Sequence, residues 1–310
     1  MKVIDILKSS KKTLFSFEIL PPIKGKGFDT VCSFIDPLME FKPAFINITS
    51  HREQIDQNNQ RVRLRPGTVA ISASIQHKYD IEVVPHILCG GFTRKETEYV
   101  LIDLNFLGIQ NILALRGDQM KVESEYRPEP DGNEFASQLV TQAMAMNKGK
   151  YLDDAETQKS AMTNFCCGVA GYPEKHYSAT SLDADIQNLK KKVEAGAEYI
   201  TTQMFFDNAV YFDFVRKCRE VGINVPIIPG IKPLALKNQI DILPKLFSID
   251  FPTDLKNAIN ACKDDDAARQ VGTEWCIMQA KDLYKKNVPA VHLYTYGFVK
   301  QAQEICQQVF

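Results

Sequence analysis

Short apolar runs, rich in β-branched and aromatic residues, alternate along the chain with longer segments of helical periodicity. Eight of these runs have the length and composition of buried strands. They cover residues 14–20, 45–49, 82–89, 111–117, 164–172, 199–206, 226–231 and 290–297. Helix-like segments fill the intervals, so the chain as a whole reads as a repeat of strand and helix.

Two of the helix-like segments carry clear signals at both ends. In "TRKETEYVLIDLNFLGIQ", Thr93 is placed to cap the helix, Glu96 follows it at capping-box spacing, and Gly108 ends the segment. In "SLDADIQNLKKKVEAGA", Ser181 can cap, acidic residues fill the first turn, and Gly196 closes the segment. Both segments are therefore predicted to be helices.

The order of these elements predicts the fold class. Eight strands separated by helices in 310 residues match the size and rhythm of a (β/α)8 barrel. We predict an α/β protein with one domain, residues 1–310, that forms a single (β/α)8 TIM barrel without a C-terminal regulatory domain. A doubly wound nucleotide-binding sheet would require a G-x-G-x-x-G turn after an early strand. The chain has none, because "CGGFT" at 89–93 is too short a match.

The first predicted strand, in "LFSFEILPP", contains a carboxylate. Glu18 lies near the end of this apolar run, and Pro21 and Pro22 end the strand because proline has no N–H to donate to the ladder. A salt-bridged structural glutamate is one interpretation. A functional acid in a site with little water is the other.

Polar residues recur near the carboxyl ends of the predicted strands, where a (β/α)8 barrel builds its active site. They are Glu18, Thr49, His86, Arg116-Gly117-Asp118, Tyr172 and Gln203. Each has a structural explanation by itself, and a single histidine in an apolar strand is more often a hydrogen-bonded core residue than a ligand. Their convergence on one rim favours a site, because buried polar groups cost free energy unless they have partners or a function.

Composition and charge exclude several classes of function. The 37 basic and 38 acidic residues give a net charge of −1, which argues against nucleic acid or an anionic membrane as a partner. No apolar stretch approaches the ~20 residues that span a bilayer, and charged residues interrupt the N-terminal segment where a signal peptide would be apolar. The eight cysteines and five histidines lack chelating spacings, so we predict no metal and no disulfide scaffold. The expected location is the cytoplasm.

Seven short motifs, taken in order, closely resemble the methylenetetrahydrofolate reductase family. They are "FSFEILPP", "PHILC", "ALRGD", "GVAGYPEKH", "DADIQNLKKKVEAGA", "TTQMFFD" and "IIPGIKP", within residues 14–295. The resemblance implies a flavoprotein barrel in which noncovalently bound FAD takes hydride from NADH or NADPH. The hydride then passes to 5,10-methylenetetrahydrofolate and gives 5-methyltetrahydrofolate for one-carbon metabolism and methionine supply. The small-molecule partner would be a reduced folate, and a homo-oligomer is compatible with the sequence.

The resemblance implies three catalytic residues. Glu18 would be the general acid that opens the folate ring, Asp118 would lie beside the flavin and the pterin, and Gln203 would orient the folate or the nicotinamide. The same three residues and Gln239 would contact the substrate. Burial in an apolar strand disfavours the charged form of a carboxyl group, so we expect the apolar neighbours of Glu18 in its strand to keep it protonated.

The resemblance also implies the residues that hold FAD. Across the strand ends these are Thr49, His86, Arg116, Gly117, Asp118 and Ala136. For the phosphates and the adenosine they are Tyr172, His176, Asp185, Asn188, Lys191 and Lys192. We expect at least one of the three consecutive lysines at 190–192 to lie on a solvated helix face instead.

The chain departs from the family pattern in several places. The segment 50–65 lacks the "T-Y-G-A" of bacterial relatives, so flavin contacts are not assigned there. Leu243 aligns with an aromatic residue that stacks on the bound ligand in the family. Gly297-Phe298 replaces a common Asn-Arg, with Lys300 as a substitute cation, and 146–164 reads as an inserted surface excursion.

Two other functions stay open at this stage. A flavin-free folate or pterin methyltransferase could use the same barrel rim. A catalytically silent barrel that only binds a partner is the second alternative, and the presence of Glu18, Asp118 and Gln203 argues against it.

Overall fold

A ring of parallel strands surrounded by helices forms the body of the protein. The computed structural model describes residues 1–58, 60–119, 126–152, 161–295 and 297–310. The strands are β1 (Leu14–Ile19), β2 (Phe45–Ile48), β3 (Gln54–Ile55), β4 (Arg61–Val62), β5 (Val83–Leu88), β6 (Asn111–Leu115), β7 (Cys166–Gly171), β8 (Tyr199–Thr202), β9 (Ile227–Ile228), β10 (Gly230–Ile231) and β11 (Ala290–Tyr294). The helices are α1 (Val3–Ser9), α2 (Phe28–Ile35), a 3-10 helix (Asp36–Phe41), α3 (Thr68–Tyr79), α4 (Arg94–Phe106), α5 (Ala136–Met146), α6 (Leu182–Glu194), α7 (Asn208–Glu220), α8 (Gln239–Phe247), α9 (Thr253–Ala261), α10 (Asp265–Lys285) and α11 (Val299–Val309).

The strand order closes on itself. The sheet runs β10-β11-β1-β2-β5-β6-β7-β8-β9, and the pairings in it are parallel. Only Pro229 separates β9 from β10, so both ends of the sheet belong to one strand that pairs with β8 through its first half and with β11 through its second. The N–H of His292 donates to the carbonyl of Pro229 across this junction, at 2.9 Å. The predicted (β/α)8 barrel is confirmed.

Strand alternation divides the barrel into an outer and an inner layer. Phe15, Phe17 and Ile19 of β1 point outward and pack in the large core between the strands and the helices. Residues such as Phe45 and Tyr199 point inward and form a second cluster with helix α1. This short helix covers the amino end of the barrel, so the carboxyl ends of the strands form the open end, where a site can be built.

The predicted strands and helix ends agree closely with the structure. Thr93 forms a capping box with Glu96, and the Ser181 hydroxyl accepts from the Ala184 N–H at 3.1 Å. The run 199–206 is a strand only to Thr202, and its remaining apolar residues pack in the cores beyond the strand. Part of the expected insertion at 146–164 lies outside the described residues.

One feature of the fold departs from the barrel repeat. Strands β3 and β4 form a small antiparallel hairpin between β2 and α3, in the segment whose sequence departs from the family pattern.

Across the described ranges, no helix combines the length and the apolarity that crossing a membrane requires.

Candidate active site

A cavity of about 430 Å³ opens at the carboxyl ends of the barrel strands. Nine of the predicted site residues line it: Glu18, Thr49, His86, Arg116, Gly117, Asp118, Tyr172, His176 and Gln203. They come from six different strands or the loops that follow them, which is the arrangement that parallel strands of a closed barrel impose. The convergence predicted from the sequence is therefore present in the structure.

Glu18 lies at the bottom of the cavity between two histidines. Its Oε2 is 3.7 Å from His86 Nε2 and 4.0 Å from His292 Nε2. Each imidazole is held by a further side chain, with Ser16 Oγ at 2.9 Å from His292 Nδ1 and Asn47 Nδ2 at 3.3 Å from His86 Nε2. An amide nitrogen can only donate, so Nε2 of His86 is the acceptor in that contact.

The expected surroundings of Glu18 need a correction. Phe15, Phe17 and Ile19 point out of the barrel into the helix-facing core, because neighbouring residues of a strand lie on opposite faces. The inward face that carries Glu18 carries polar groups from other strands instead. The carboxyl group is buried, at 5% exposure, but it faces two imidazoles rather than aromatic rings.

Burial lowers the pKa of two histidines of the cavity, His86 and His51. Burial lowers the pKa of His86 to about 4, and the nearby Glu18 carboxylate offsets only part of this effect. Burial and the neighbouring Arg65 also lower the pKa of His51, which lines the cavity from the segment before the hairpin. His86 is therefore a neutral polar neighbour of Glu18 and not its counter-charge.

Asp118 and Gln203 reach the cavity from turns after β6 and β8. Gly117 has a φ of +87°, in the left-handed region that glycine tolerates best, and this conformation turns the chain at Asp118. The N–H of Gln203 donates to the carbonyl of Gly171 at 2.8 Å, which fixes the backbone at the end of β8. Both side chains line the same cavity as Glu18.

Tyr172, His176 and Arg116 form one wall of the site, the cationic wall, whose charge is that of the Arg116 guanidinium. The rings of Tyr172 and His176 meet edge to face at 4.6 Å, and the Arg116 guanidinium donates to the Tyr177 hydroxyl at 2.9 Å. Behind this wall, Lys192 Nζ donates to the Ala170 carbonyl of β7 at 3.0 Å, and burial lowers the pKa of Lys192 to about 8. Burial and the positive charges of Arg116 and Lys192 lower the pKa of His176 to about 4. This wall is suited to an anion.

Comparison with known proteins gives the family. Residues 2–309 match the family model described as methylenetetrahydrofolate reductase. The chain belongs to the methylenetetrahydrofolate reductase family. The family resemblance of its sequence motifs is thereby confirmed.

Relatives from a plant, an animal and a bacterium are similar to nearly the whole of this chain. "Methylenetetrahydrofolate reductase (NADH) 1" of Arabidopsis thaliana is 30% identical over 97% of this chain and 50% of its own length. "Probable methylenetetrahydrofolate reductase (NADPH)" of Caenorhabditis elegans is 30% identical over 99% of this chain and 43% of its own. The chain thus spans about half the length of these relatives, or less. "5,10-methylenetetrahydrofolate reductase" of Escherichia coli is 30% identical over 94% of this chain and 88% of its own length.

Solved structures share the fold at low identity. A Clostridium thermocellum protein, described as binding two copies of 5-methyl-5,6,7,8-tetrahydrofolic acid, superposes with a TM-score of 0.56 and 13% identity. It covers 98% of this chain and 97% of its own. A 2,3-dimethylmalate lyase superposes with a TM-score of 0.53 and 6% identity, over 98% of this chain and 84% of its own. Both comparisons concern the fold alone.

Six residues that the family resemblance suggests do not line the cavity: Ala136, Asp185, Asn188, Lys191, Lys192 and Gln239. Asp185 accepts from the His176 N–H at 2.9 Å, and Lys192 donates to the Ala170 carbonyl at 3.0 Å. Both residues therefore lie directly behind the cationic wall. Gln239 accepts from the Ala235 N–H at 2.7 Å at the start of α8, which is a local structural contact.

The lysines at the end of α6 divide as expected. Lys190 lies 3.9 Å from Glu194 in a solvated pair one helical turn along, and exposed Lys191 reaches Asn188 at 3.4 Å. Lys192 alone turns inward under the wall. The ligand contacts assigned to Asn188 and Lys191 stay predictions.

Several cavity residues were missed by sequence reasoning. His292 lies opposite Ser16 in the β1–β11 register, a pairing that no local pattern announces. Phe247, at the end of α8, lines the cavity, whereas Leu243 of the same helix is buried in the core beside it. An aromatic residue one turn from the expected position in a short amphipathic helix was the available signal for Phe247.

Proposed function

We propose that this chain catalyses the FAD-dependent reduction of 5,10-methylenetetrahydrofolate to 5-methyltetrahydrofolate, with NADH or NADPH as the hydride donor. The proposal is carried by the convergence of Glu18, Asp118 and Gln203 on one cavity at the carboxyl end of the barrel. Relatives named for NADH and for NADPH match equally well, so both donors belong in the test.

The residues of the cavity fit a flavin held without a covalent bond. Buried polar atoms of the lining residues that have no hydrogen-bond partner within the described structure include Asn47 Oδ1, Thr49 Oγ1, Thr201 Oγ1 and His292 Nε2. Each such atom costs about 1–3 kcal/mol when it stays unsatisfied. A bound ring system with polar edges would remove part of that cost, and the Arg116 guanidinium beside the neutral His176 ring suits a pyrophosphate.

Glu18 and Asp118 take different parts in the reaction. When bound, FAD supplies the capacity to accept a hydride from the nicotinamide and to deliver it to the folate. Glu18 donates a proton to N10 of the folate, which breaks the bond between N10 and the bridging carbon. The bridging carbon becomes a 5-iminium cation that can accept the hydride as a methyl group. Asp118 supplies the negative charge that favours this cation.

Two imidazole rings flank the carboxyl group of Glu18. Neutral His86 lies 3.7 Å from Oε2, and the ring of His292 lies 4.0 Å from the same oxygen, with Ser16 Oγ at 2.9 Å from His292 Nδ1. After proton transfer, Glu18 must regain a proton from solvent or from a neighbouring group.

Anaerobic half-reactions test the proposal. The purified protein should show flavin absorbance, NADH or NADPH should bleach it, and 5,10-methylenetetrahydrofolate should restore it with formation of 5-methyltetrahydrofolate. Acid or heat should release all of the flavin from the protein. A folded, flavin-free preparation that transfers methyl groups would favour the methyltransferase alternative. A flavin-containing protein that turns over with neither donor would favour a silent binding barrel.

A further inference from the structure

Arg52 packs on a surface that only a glycine provides. It lies before the β3–β4 hairpin, in the segment that departs from the family pattern, and it lines the cavity. A Cβ placed on Gly90 would stand 2.9 Å from Arg52 Cδ and 3.0 Å from Nε, and 3.1 Å from the Tyr126 ring. Real Cβ atoms avoid such distances. Gly90, at the end of β5, therefore leaves space for the Arg52 side chain to lie flat against the barrel.

Tyr126 stands between two guanidinium groups. Its ring centroid is 5.6 Å from Arg52 Cζ and 4.7 Å from Arg116 Cζ, within the range of cation–π attraction. Its hydroxyl donates to the Arg116 carbonyl at 3.3 Å. The planar guanidinium stacks on an aromatic face in a way that a lysine ammonium does not reproduce. This stack fixes the direction of the Arg52 side chain.

Held in this way, Arg52 reaches the turn that carries Asp118. Its Nη1 donates to the backbone carbonyl of Asp118 at 3.3 Å. That carbonyl follows Gly117, whose positive φ makes the turn, so the contact restrains the peptide that aims the Asp118 carboxylate into the cavity. The ladder bond from the Gly90 N–H to the Arg116 carbonyl, at 3.0 Å, ties the same turn to β5.

We propose that Arg52 is a positioning residue for Asp118 and that the reaction of the folate depends on it. The inference rests on the proposed function, because it assigns Arg52 a task in the step that Asp118 serves. Arg52 does not touch the reacting atoms. It holds the backbone from which the counter-charge of the iminium cation projects.

Arg52→Met tests this in the two half-reactions. The substitution keeps an unbranched apolar stem against Gly90 and removes the planar donor group. We expect reoxidation by 5,10-methylenetetrahydrofolate to slow about tenfold, since small displacements of a reacting constellation carry costs of this size or larger. Reduction by the nicotinamide should change less than about twofold. The matched control is Arg63→Met, which removes an exposed arginine of the same segment that does not line the cavity.

Two further variants separate positioning from general damage. Gly90→Ala should displace Arg52 without deleting it and should give the same split between the half-reactions. In the Asp118→Asn background, Arg52→Met should add less than about twofold to the loss in the folate half-reaction, because a residue that acts through another is non-additive with it. Full additivity, or equal slowing of both half-reactions, would overturn the proposal.

The proposed function and this inference can fail separately. If the wild-type protein carries out neither half-reaction, the proposed function fails, and hydrogen exchange of the ligand-free protein decides the positioning. Arg52→Met should then speed amide exchange in peptides that cover 113–119 at least about tenfold over Arg63→Met, because the restraint on that turn is lost. Equal exchange in the two variants would show that Arg52 does not hold the turn.

Discussion

His86 Nε2 and Glu18 Oε2 lie 3.7 Å apart inside the barrel, and both side chains are 7% exposed. Burial keeps the imidazole neutral at pH 7, so this contact is not an ion pair under ordinary conditions. His292 approaches the same oxygen from the other side, at 4.0 Å. The proposed acid of the site is therefore set between two imidazole rings, and its role can be separated from theirs by mutation.

Glu18→Gln should separate the two half-reactions completely. Hydride transfer from the nicotinamide to the flavin needs no proton from Glu18, so flavin reduction should keep nearly its wild-type rate. Reoxidation by 5,10-methylenetetrahydrofolate should fall by a factor of about 100 or more, as for the loss of a general acid. Stopped-flow absorbance under anaerobic conditions measures both. Reoxidation at the wild-type rate would remove Glu18 from the mechanism.

Asp118→Asn should make the flavin easier to reduce. A carboxylate beside the ring disfavours an anionic reduced flavin, and a partly screened charge is worth about 1.4 kcal/mol at this range. For two electrons this corresponds to a midpoint potential about 30 mV higher. The folate half-reaction should slow, because the iminium cation loses its counter-charge. A spectroscopic redox titration checks the potential. An unchanged potential with intact turnover would show that Asp118 only forms the turn.

His86 should make the fold less stable in acid. Its pKa is about 4 in the folded protein against an ordinary value of 6.5, so the unfolded chain binds the extra proton first and stability falls as the pH drops below 6.5. Between pH 7 and pH 5 the loss is about 2 kcal/mol. Urea unfolding of the wild type and of His86→Asn at both pH values measures it. The variant should lose about 2 kcal/mol less than the wild type over this interval. Equal losses would mean that His86 does not titrate as its burial requires.

Phe247→Ala should weaken ligand binding more than it slows the chemistry. The ring lines the cavity, and stacking on a ligand ring is worth about 0.5–1.5 kcal/mol, or roughly two- to thirteenfold in affinity. The KM for the folate or the nicotinamide should rise by that factor while kcat changes less. Leu246→Ala is the control, because Leu246 precedes Phe247 in the same helix and is 59% exposed. A parallel effect of both variants would indicate a general disturbance of α8.

The sequence determined the elements and their ends. Alternating apolar residues, prolines after the first strand and the caps at Thr93 and Ser181 are local signals that act within a few residues. These signals were sufficient to predict eight strands in barrel order and a polar rim at the strand ends. The register between strands is not local, and no pattern within β1 could place His292 opposite Ser16, because 276 residues separate them.

Tertiary structure decided what surrounds each site residue. The neighbours of Glu18 along the chain point away from it, since a strand sends successive side chains to opposite faces, and the groups that do face it come from other strands. Closure of the barrel likewise brought Phe247 to the cavity, left Gln239 and Lys191 outside it, and set Arg52 against Gly90. Each of these outcomes depends on packing between segments distant in sequence, and that information exists only once the ring is closed.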